Sequence, residues 1–303
     1  MKVLYHNTKE DTRFLWSQKG LCKAGERRIL ETGKREKRGI DMKIQSVTMA
    51  YFSPCGTTKQ AVCSIGAAWH GRKQMQWDMT PVTETKTRIH LQEQDLLIVG
   101  VPSFGGRVSM TAWERLKQLT GHQTPAVAVV TYGNRAFDDT LVELQDMLQS
   151  QGFMVAAGIA VVAEHSIMHQ FATGRPNEED CAQLCAFGTL ILERLEQIGV
   201  QPVTLPGNHP YVERHGGGLV PLVEQRCTGC GACAEHCPTG AISVEQPMQT
   251  DSIRCISCMG CFAVCPEQAR YLPERAVKML SEKLGAICSV RKENQLFLPE
   301  QSS

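Results

Sequence analysis

The sequence predicts an α/β protein: a doubly wound parallel sheet over residues 42–199, joined by a linker at 200–222 to a small α+β unit at 223–275. Three observations predict it. In the first part, apolar stretches of strand length alternate with longer stretches of helical period, the pattern of a parallel sheet covered on both faces. A run rich in proline and glycine then interrupts that pattern. Beyond it, eight of the fourteen cysteines fall into two copies of one spacing.

Residues 1–41 carry eleven Lys/Arg against six Asp/Glu and show no sustained apolar period, so they read as a solvated leader. Met42 stands just before the first convincing strand and is the expected native start. Segment 44–52 is a buried strand, 53–59 a turn and 60–69 a helix. A weaker strand at 74–79 precedes the apolar run DLLIVGV at 95–101, which leads through PSFGGR into a helix containing Trp113 and Leu116. Segment 126–131 is the next strand. A helix over 137–151 places Leu141, Leu144 and Leu148 on one face. A strand at 153–163 and a helix at 177–198 complete the sheet region. Pro202, Pro206, Pro210, Pro221 and the triplet Gly216-Gly217-Gly218 mark the linker, extended at first and then flexible. Residues 276–303 form a tail whose start belongs to a closing helix over 273–284.

The net charge of +1 divides into +5 for residues 1–41 and −4 for the rest, which gives nucleic-acid binding no footing outside the leader. The longest apolar run, 153–163, is too short to span a bilayer, so no membrane insertion is expected. No apolar signal core follows Met1, and a reducing cytoplasm is the expected compartment.

The two cysteine runs read CTGCGACAEHCP and CISCMGCFAVCP. Each is C-x2-C-x2-C-x3-C-P, the bacterial run that ligates [4Fe–4S] clusters, and two copies imply two clusters. Three thiols two residues apart wrap a loop around one cubane, with Gly229, Gly231 and Gly260 where positive φ or close backbone approach is needed. The fourth thiol is carried about one helical turn away, and in paired runs it ligates the other cluster. Cluster I therefore takes Cys227, Cys230, Cys233 and Cys265; cluster II takes Cys255, Cys258, Cys261 and Cys237. Structural zinc would favour separated C-x2-4-C pairs. The other six cysteines share no spacing.

In an open parallel sheet, ligands sit outside the carboxyl ends of the strands, and three loops qualify. Ser53-Pro54-Cys55-Gly56-Thr57-Thr58 gathers hydroxyls and N–H groups at a helix start, suited to a phosphate or to an ordinary turn capped by Thr57. It matches neither the Walker nor the dinucleotide glycine pattern. Pro102-Ser103-Phe104-Gly105-Gly106-Arg107 offers two glycines beside an aromatic ring. Thr131-Tyr132-Gly133-Asn134-Arg135 offers a second ring, and Arg135 could serve a cofactor or the neighbouring unit. Either loop could equally be a turn whose aromatic closes the core.

FSPCGTTK, VPSFGGR, TYGNR and the paired cysteine runs together resemble the flavodoxin–ferredoxin fusion proteins of anaerobic bacteria and archaea, over residues 42–280. The resemblance implies a flavodoxin-like FMN domain followed by a two-cluster ferredoxin domain. It implies that Ser53, Cys55, Gly56, Thr57 and Thr58 form the phosphate loop, and that Ser103, Phe104, Gly105, Gly106 and Arg107 frame the isoalloxazine with Tyr132, Gly133 and Asn134. His165-Ser166 also matches. The sequence departs from the family's usual residues at Cys55, where Thr is common, and at Phe104, where Tyr is. Electron transfer between redox protein partners is the implied role. The alternatives are a flavin-dependent reductase with a small-molecule acceptor, and a ferredoxin whose sheet domain only docks.

Overall fold

The structure is a computed structural model that describes residues 43–82, 88–214 and 217–300. The basic leader and Met42 lie outside the described residues. The strands are β1 (Ser46–Tyr51), β2 (Lys73–Asp78), β3 (Ile89–Leu91), β4 (Asp95–Phe104), β5 (Arg107–Val108), β6 (Leu119–Gly121), β7 (Thr124–Tyr132), β8 (Phe153–Val162), β9 (Leu222–Val223), β10 (Arg270–Tyr271) and β11 (Gln295–Phe297). The helices are α1 (Thr57–Gly66), α2 (Met110–Leu116), α3 (Thr140–Ser150), α4 (Glu178–Ile198), α5 (Ala232–Glu235), α6 (Gly260–Ala263) and α7 (Glu274–Cys288).

Five parallel strands lie side by side as β2-β1-β4-β7-β8. Leaving out the short strands, that is the order 2-1-3-4-5 of flavodoxin-like sheets. The inner strands are apolar without alternation because helices cover both faces; all nine residues of β7 are buried. On one face α1 and α4 bury Ile65, Trp69, Leu184, Ile191 and Leu195. On the other, α2 and α3 bury Leu116, Leu141, Leu144 and Leu148. Helices α1 and α4 approach so closely that a Cβ on Gly188 would lie 2.4 Å from the Ile65 carbonyl oxygen. Helix α4 begins at a capping box, with Asn177 Oδ1 accepting from Asp180 N and Asp180 Oδ2 from Asn177 N.

Two segments behave differently from the sequence reading. The first is 200–214, expected to pass from extended to flexible, which lies flat along α3. Val203 and Leu205 are buried. Gln145 holds both, its Nε2 donating to Val203 O at 2.6 Å and its Oε1 accepting from Leu205 N at 3.3 Å. Asp139, wholly buried, accepts from Asn208 N, Asn208 Nδ2 and Val212 N at 2.6–3.0 Å. Burial works against that carboxylate, but the three donors outweigh it and hold its pKa below the ordinary value. Glu143 accepts from Arg107 Nε and Nη2, Val108 N and Arg214 Nη2, all within 2.6–2.9 Å. Asp139, Glu143 and Asp146 stand four and three residues apart, on one helix face. That row accepts from donors of the strap at Asn208, His209, Tyr211, Val212 and Arg214.

The second is the tail. The closing helix expected over 273–284 runs on to Cys288, and the chain then returns as β11, antiparallel on β8. Asn294 locks the return: its Oδ1 accepts from Val162 N at 2.9 Å, while its Nδ2 donates to Asp180 Oδ1 at 2.9 Å and Gln183 Oε1 at 2.8 Å. The cysteine-rich segment is thus held to the sheet at both of its ends. Around it β9 and β10 pair antiparallel, and α5 and α6 form within the two runs.

Glu143→Ala removes the acceptor of two guanidinium groups and one backbone N–H in a buried site. Breaking such a pair costs about 3–5 kcal/mol. Urea denaturation of the purified chain should show a fall of that size, and a loss under about 1 kcal/mol, the scale of a surface pair, would mean that the strap is not held by this carboxylate.

Candidate iron–sulfur and flavin sites

The first cysteine run turns through Gly229 and Gly231, at φ 71° and 78°, into α5. The second makes the same turn with non-glycine residues in the left-handed region, Ser257 at 54° and Met259 at 60°. Gly260 is free of that strain and serves close approach: a Cβ there would lie 3.1 Å from Pro54 and 3.2 Å from His236.

Cys227, Cys230 and Cys233 line one recess together with Cys265, which comes from the other run; Pro247, Glu267 and Arg270 are also in its wall. Cys230 is exposed and Cys233 buried. On the other side, Cys237 is an electrostatic neighbour of both Cys255 and Cys258. Cys265 thus joins the first run's three thiols around one recess, and Cys237 lies near two thiols of the second run. The two travelling thiols also share a local geometry. Ala241 N donates to Cys237 Sγ at 3.2 Å, and Ala269 N to Cys265 Sγ at 3.3 Å, each from four residues on.

Burial pushes the Cys258 and Cys261 thiols up to about 12. Bare thiols there stay protonated, and a cation is needed to hold them as thiolates. Among the described residues, no three His, Cys, Asp or Glu side chains close on a single ion. A cubane asks for something else, since each of its irons takes one thiolate. Thiols brought together from both runs, N–H groups aimed at sulfur and walls of Ala234, Ala241 and Ile242 fit iron–sulfur ligation.

At the carboxyl end of the sheet, β1 and β4 lie side by side while their helices leave on opposite faces. Helix α1 starts from Gly56, at φ 88°, with no side-chain cap. Ser53 Oγ accepts from Lys59 N at 2.9 Å, and Thr58 Oγ1 pairs with Thr131 Oγ1 at 2.7 Å. No acceptor among the described residues takes the N–H of Cys55, Thr57 or Thr58. The space beside the Gly56 Cα is open. Uncommitted N–H groups around a left-handed glycine fit an anion.

The second loop is shorter than expected from sequence. Strand β4 continues through Pro102 and Ser103 to Phe104, and Gly105-Gly106, at φ 61° and 83°, turn the chain into β5. Positive φ at both central residues is what a two-residue hairpin requires. Ser103 Oγ pairs with Thr140 Oγ1 at 2.7 Å. Arg107 turns to Glu143 and Val212 O, stacking on Tyr211 at 4.5 Å. It therefore clamps the strap to the hairpin.

In the third loop, Tyr132 is buried edge-on to Phe137, with ring centroids 5.4 Å apart, and closes the core. Asn134, at φ 62°, donates through Nδ2 to Cys288 O at 2.6 Å and Val290 O at 3.0 Å. Its Oδ1 is buried and meets no partner among the described residues, an acceptor left for a ligand's N–H. Gly133 packs on His165, whose Nδ1 accepts from Ile167 N and Met168 N at 3.2 and 3.3 Å. Burial lowers that imidazole's pKa to about 4, so it is neutral with its proton on Nε2.

The contacts that join the two regions were not legible from motifs. Cys55 Sγ donates to Cys258 O at 3.1 Å, and His236 Nε2 meets Pro54 O at 2.7 Å. Arg115 Nη2 donates to Pro238 O at 2.5 Å. The carboxyl-end loop of β1 thus rests directly on the second cysteine run and on the residue beside Cys237. The one sequence signal was Cys55 itself, a thiol where the family resemblance leads one to expect a hydroxyl.

Residues 226–270 match the family model of the 4Fe-4S dicluster domain. A ferredoxin of Chlorobaculum thiosulfatiphilum is 40% identical over 53 residues, 15% of this chain and 87% of its own length. The chain belongs to this ferredoxin family. In it the ferredoxin segment is fused to a flavodoxin-like sheet. A component of an ion-translocating oxidoreductase complex of Methanosarcina acetivorans is 36% identical over 55 residues. That stretch is 18% of this chain and spans about a fifth of the component, 21% of its length. Among solved structures, a flavodoxin from the domain Archaea aligns at 13% identity over 50% of this chain and 99% of its own, with a TM-score of 0.36. Flavodoxin 2 from Bacillus cereus gives 15%, 50%, 99% and 0.37. Likeness of that degree carries no argument, and the sheet's assignment rests on its strand order.

Gly260→Val should force the junction apart, because branched methyl groups extend beyond a Cβ already in tight contact. Overpacking of this kind costs about 1–3 kcal/mol, so the half-buried Cys55 should alkylate roughly ten- to a hundredfold faster in the native chain. Mass-spectrometric mapping of the labelled thiol gives the rate, and wild-type labelling of Cys55 would show that the junction tolerates the bulk.

Proposed function

We propose that the chain is an electron-transfer protein holding two [4Fe–4S] clusters and FMN, passing electrons between redox protein partners in a reducing cytoplasm. Cluster I takes Cys227, Cys230, Cys233 and Cys265; cluster II takes Cys255, Cys258, Cys261 and Cys237. The FMN phosphate takes the free N–H groups of Cys55, Thr57 and Thr58 with the hydroxyls of Ser53 and Thr57. The orphaned Asn134 Oδ1 is the acceptor for the ring. A flavin exchanges one or two electrons and a cubane one, which lets the pair match carriers of the two kinds.

The observation that carries this reading is the junction. An anion-ready loop at a flavodoxin-type switch point bonds directly to a cluster loop through Cys55 and Cys258, so the two redox sites are neighbours. No helix among the described residues is long and apolar enough to cross a membrane. The test is anaerobic purification of the full chain, with iron, sulfide and released flavin assayed per chain. About eight irons and one FMN are expected for two cubanes and one flavin. Eight irons without flavin would reduce the sheet to a docking module.

Thr57→Ala removes a hydroxyl from the phosphate loop without touching the buried Thr58–Thr131 pair. A hydrogen bond to a charged group is worth about 1.5–3 kcal/mol, so FMN affinity should fall by about one to two decades while iron content stays unchanged. Flavin titration at wild-type affinity would remove Thr57 from the site.

Cys237→Ala and Cys265→Ala should give reciprocal results. The first should damage cluster II and leave cluster I with four thiolates; the second should do the reverse. Iron content with site-resolved spectroscopy reads the outcome, and loss of the cluster of its own run in either variant would overturn the crossed assignment.

A further inference from the structure

Arg270 is one of the few buried cations among the described residues, with a relative exposure of 3%. Strand β10 sets it there: the pleat turns Arg270 inward and leaves Tyr271 exposed. Its Nη2 donates to Cys233 Sγ at 3.0 Å and to Pro247 O, and its Nη1 to Thr250 Oγ1 at 2.9 Å. Among the described residues no carboxylate forms an ion pair with it, whereas the buried Arg175 is paired with Asp180. A buried guanidinium without an anion is expensive, and buried charges are retained when something of opposite sign answers them. The group in reach is the sulfur of Cys233. Its positive charge also reaches Cys255 and Cys261, but no hydrogen bond joins Arg270 to either.

We propose that Arg270 is a potential-setting residue that holds the reduction potential of cluster I above the value its thiolates alone would give, and so separates the two clusters in potential. The inference rests on the ligand sets proposed above. Reduction adds one electron to the cluster and makes its sulfurs more negative, with no proton moved at the guanidinium. A fixed positive charge donating a directed N–H to one sulfur stabilises that reduced state more than the oxidised one. The second run has no counterpart among the described residues: Cys261, which stands in its run where Cys233 stands in the first, accepts from no buried cation. The sequence already separates the runs here, since the Arg follows only the second Cys-Pro and reaches back across β9–β10 to the first run.

The test is a spectroscopic redox titration of the anaerobically purified full chain, with dithionite as reductant, in wild type, Arg270→Gln and Arg270→Lys. In Arg270→Gln, reduction of cluster I at fixed potential should become about tenfold less favourable, a fall of about 59 mV for a one-electron couple. Cluster II should move less. Lys keeps the charge but cannot hold Cys233, Pro247 and Thr250 together, so its cluster I midpoint should fall by a smaller amount. The same titration in a Cys237→Ala background, where cluster II is the damaged one, identifies which signal belongs to cluster I. Unchanged midpoints, or equal shifts of both clusters, would overturn the proposal. Should Arg270→Gln not retain iron, Arg270→Lys decides by the same criterion. If Cys237→Ala instead removes the signal that Arg270 controls, the ligand assignment fails and not the guanidinium's effect on Cys233.

Discussion

The junction between Pro54-Cys55 and the second cysteine run is the constraint on which the rest of this molecule depends. A thiol donates to the carbonyl of Cys258, a carbonyl accepts from His236, and Gly260 leaves no side chain between the two backbones. Each of these contacts is worth about 1 kcal/mol by itself. They are effective because each partner is fixed by its own element: one leaves the buried end of β1, the other turns through Ser257 and Met259 into α6. Movement of either would strain the other.

Much of the remaining architecture keeps that contact in register. The acidic face of α3 binds the strap that leads out of the sheet, and Asn294 with β11 binds the chain where it returns. Arg107 shows how the same residue type serves two readings. As a cation after a glycine pair beside a predicted ligand site it suggested contact with a cofactor; in the structure it is a bidentate partner of Glu143. Arg115 likewise spans from the sheet to Pro238, next to Cys237.

The fold and the ferredoxin segment were legible in the sequence for different reasons. Buried parallel strands leave unbroken apolar runs such as DLLIVGV, and cubane ligation forces a cysteine spacing that packing alone has no reason to produce. The strap was not legible because its fixing groups lie on another element. Prolines and a glycine triplet look alike whether the chain is free or laid against a row of carboxylates. Strand β11 was missed since three residues carry no period, and only Asn294 fixes their place. The hairpin at Gly105-Gly106 was read as a loop, because strand pairing beyond Val101 depends on Arg107 and Val108 returning alongside.

Strand β11 also bears on how the molecule is made. Strand β8 is apolar and buried along nearly its whole length, and an open edge of that kind is a template for pairing with other chains. Its cover over residues 158–160 comes from residues 295–297, synthesised after both cysteine runs. During translation the sheet therefore waits with a sticky flank until the ferredoxin segment has emerged and its tail can reach back. Metal loading and the sealing of the sheet fall in the same interval of biogenesis, and a chain interrupted between them carries the hazard of both.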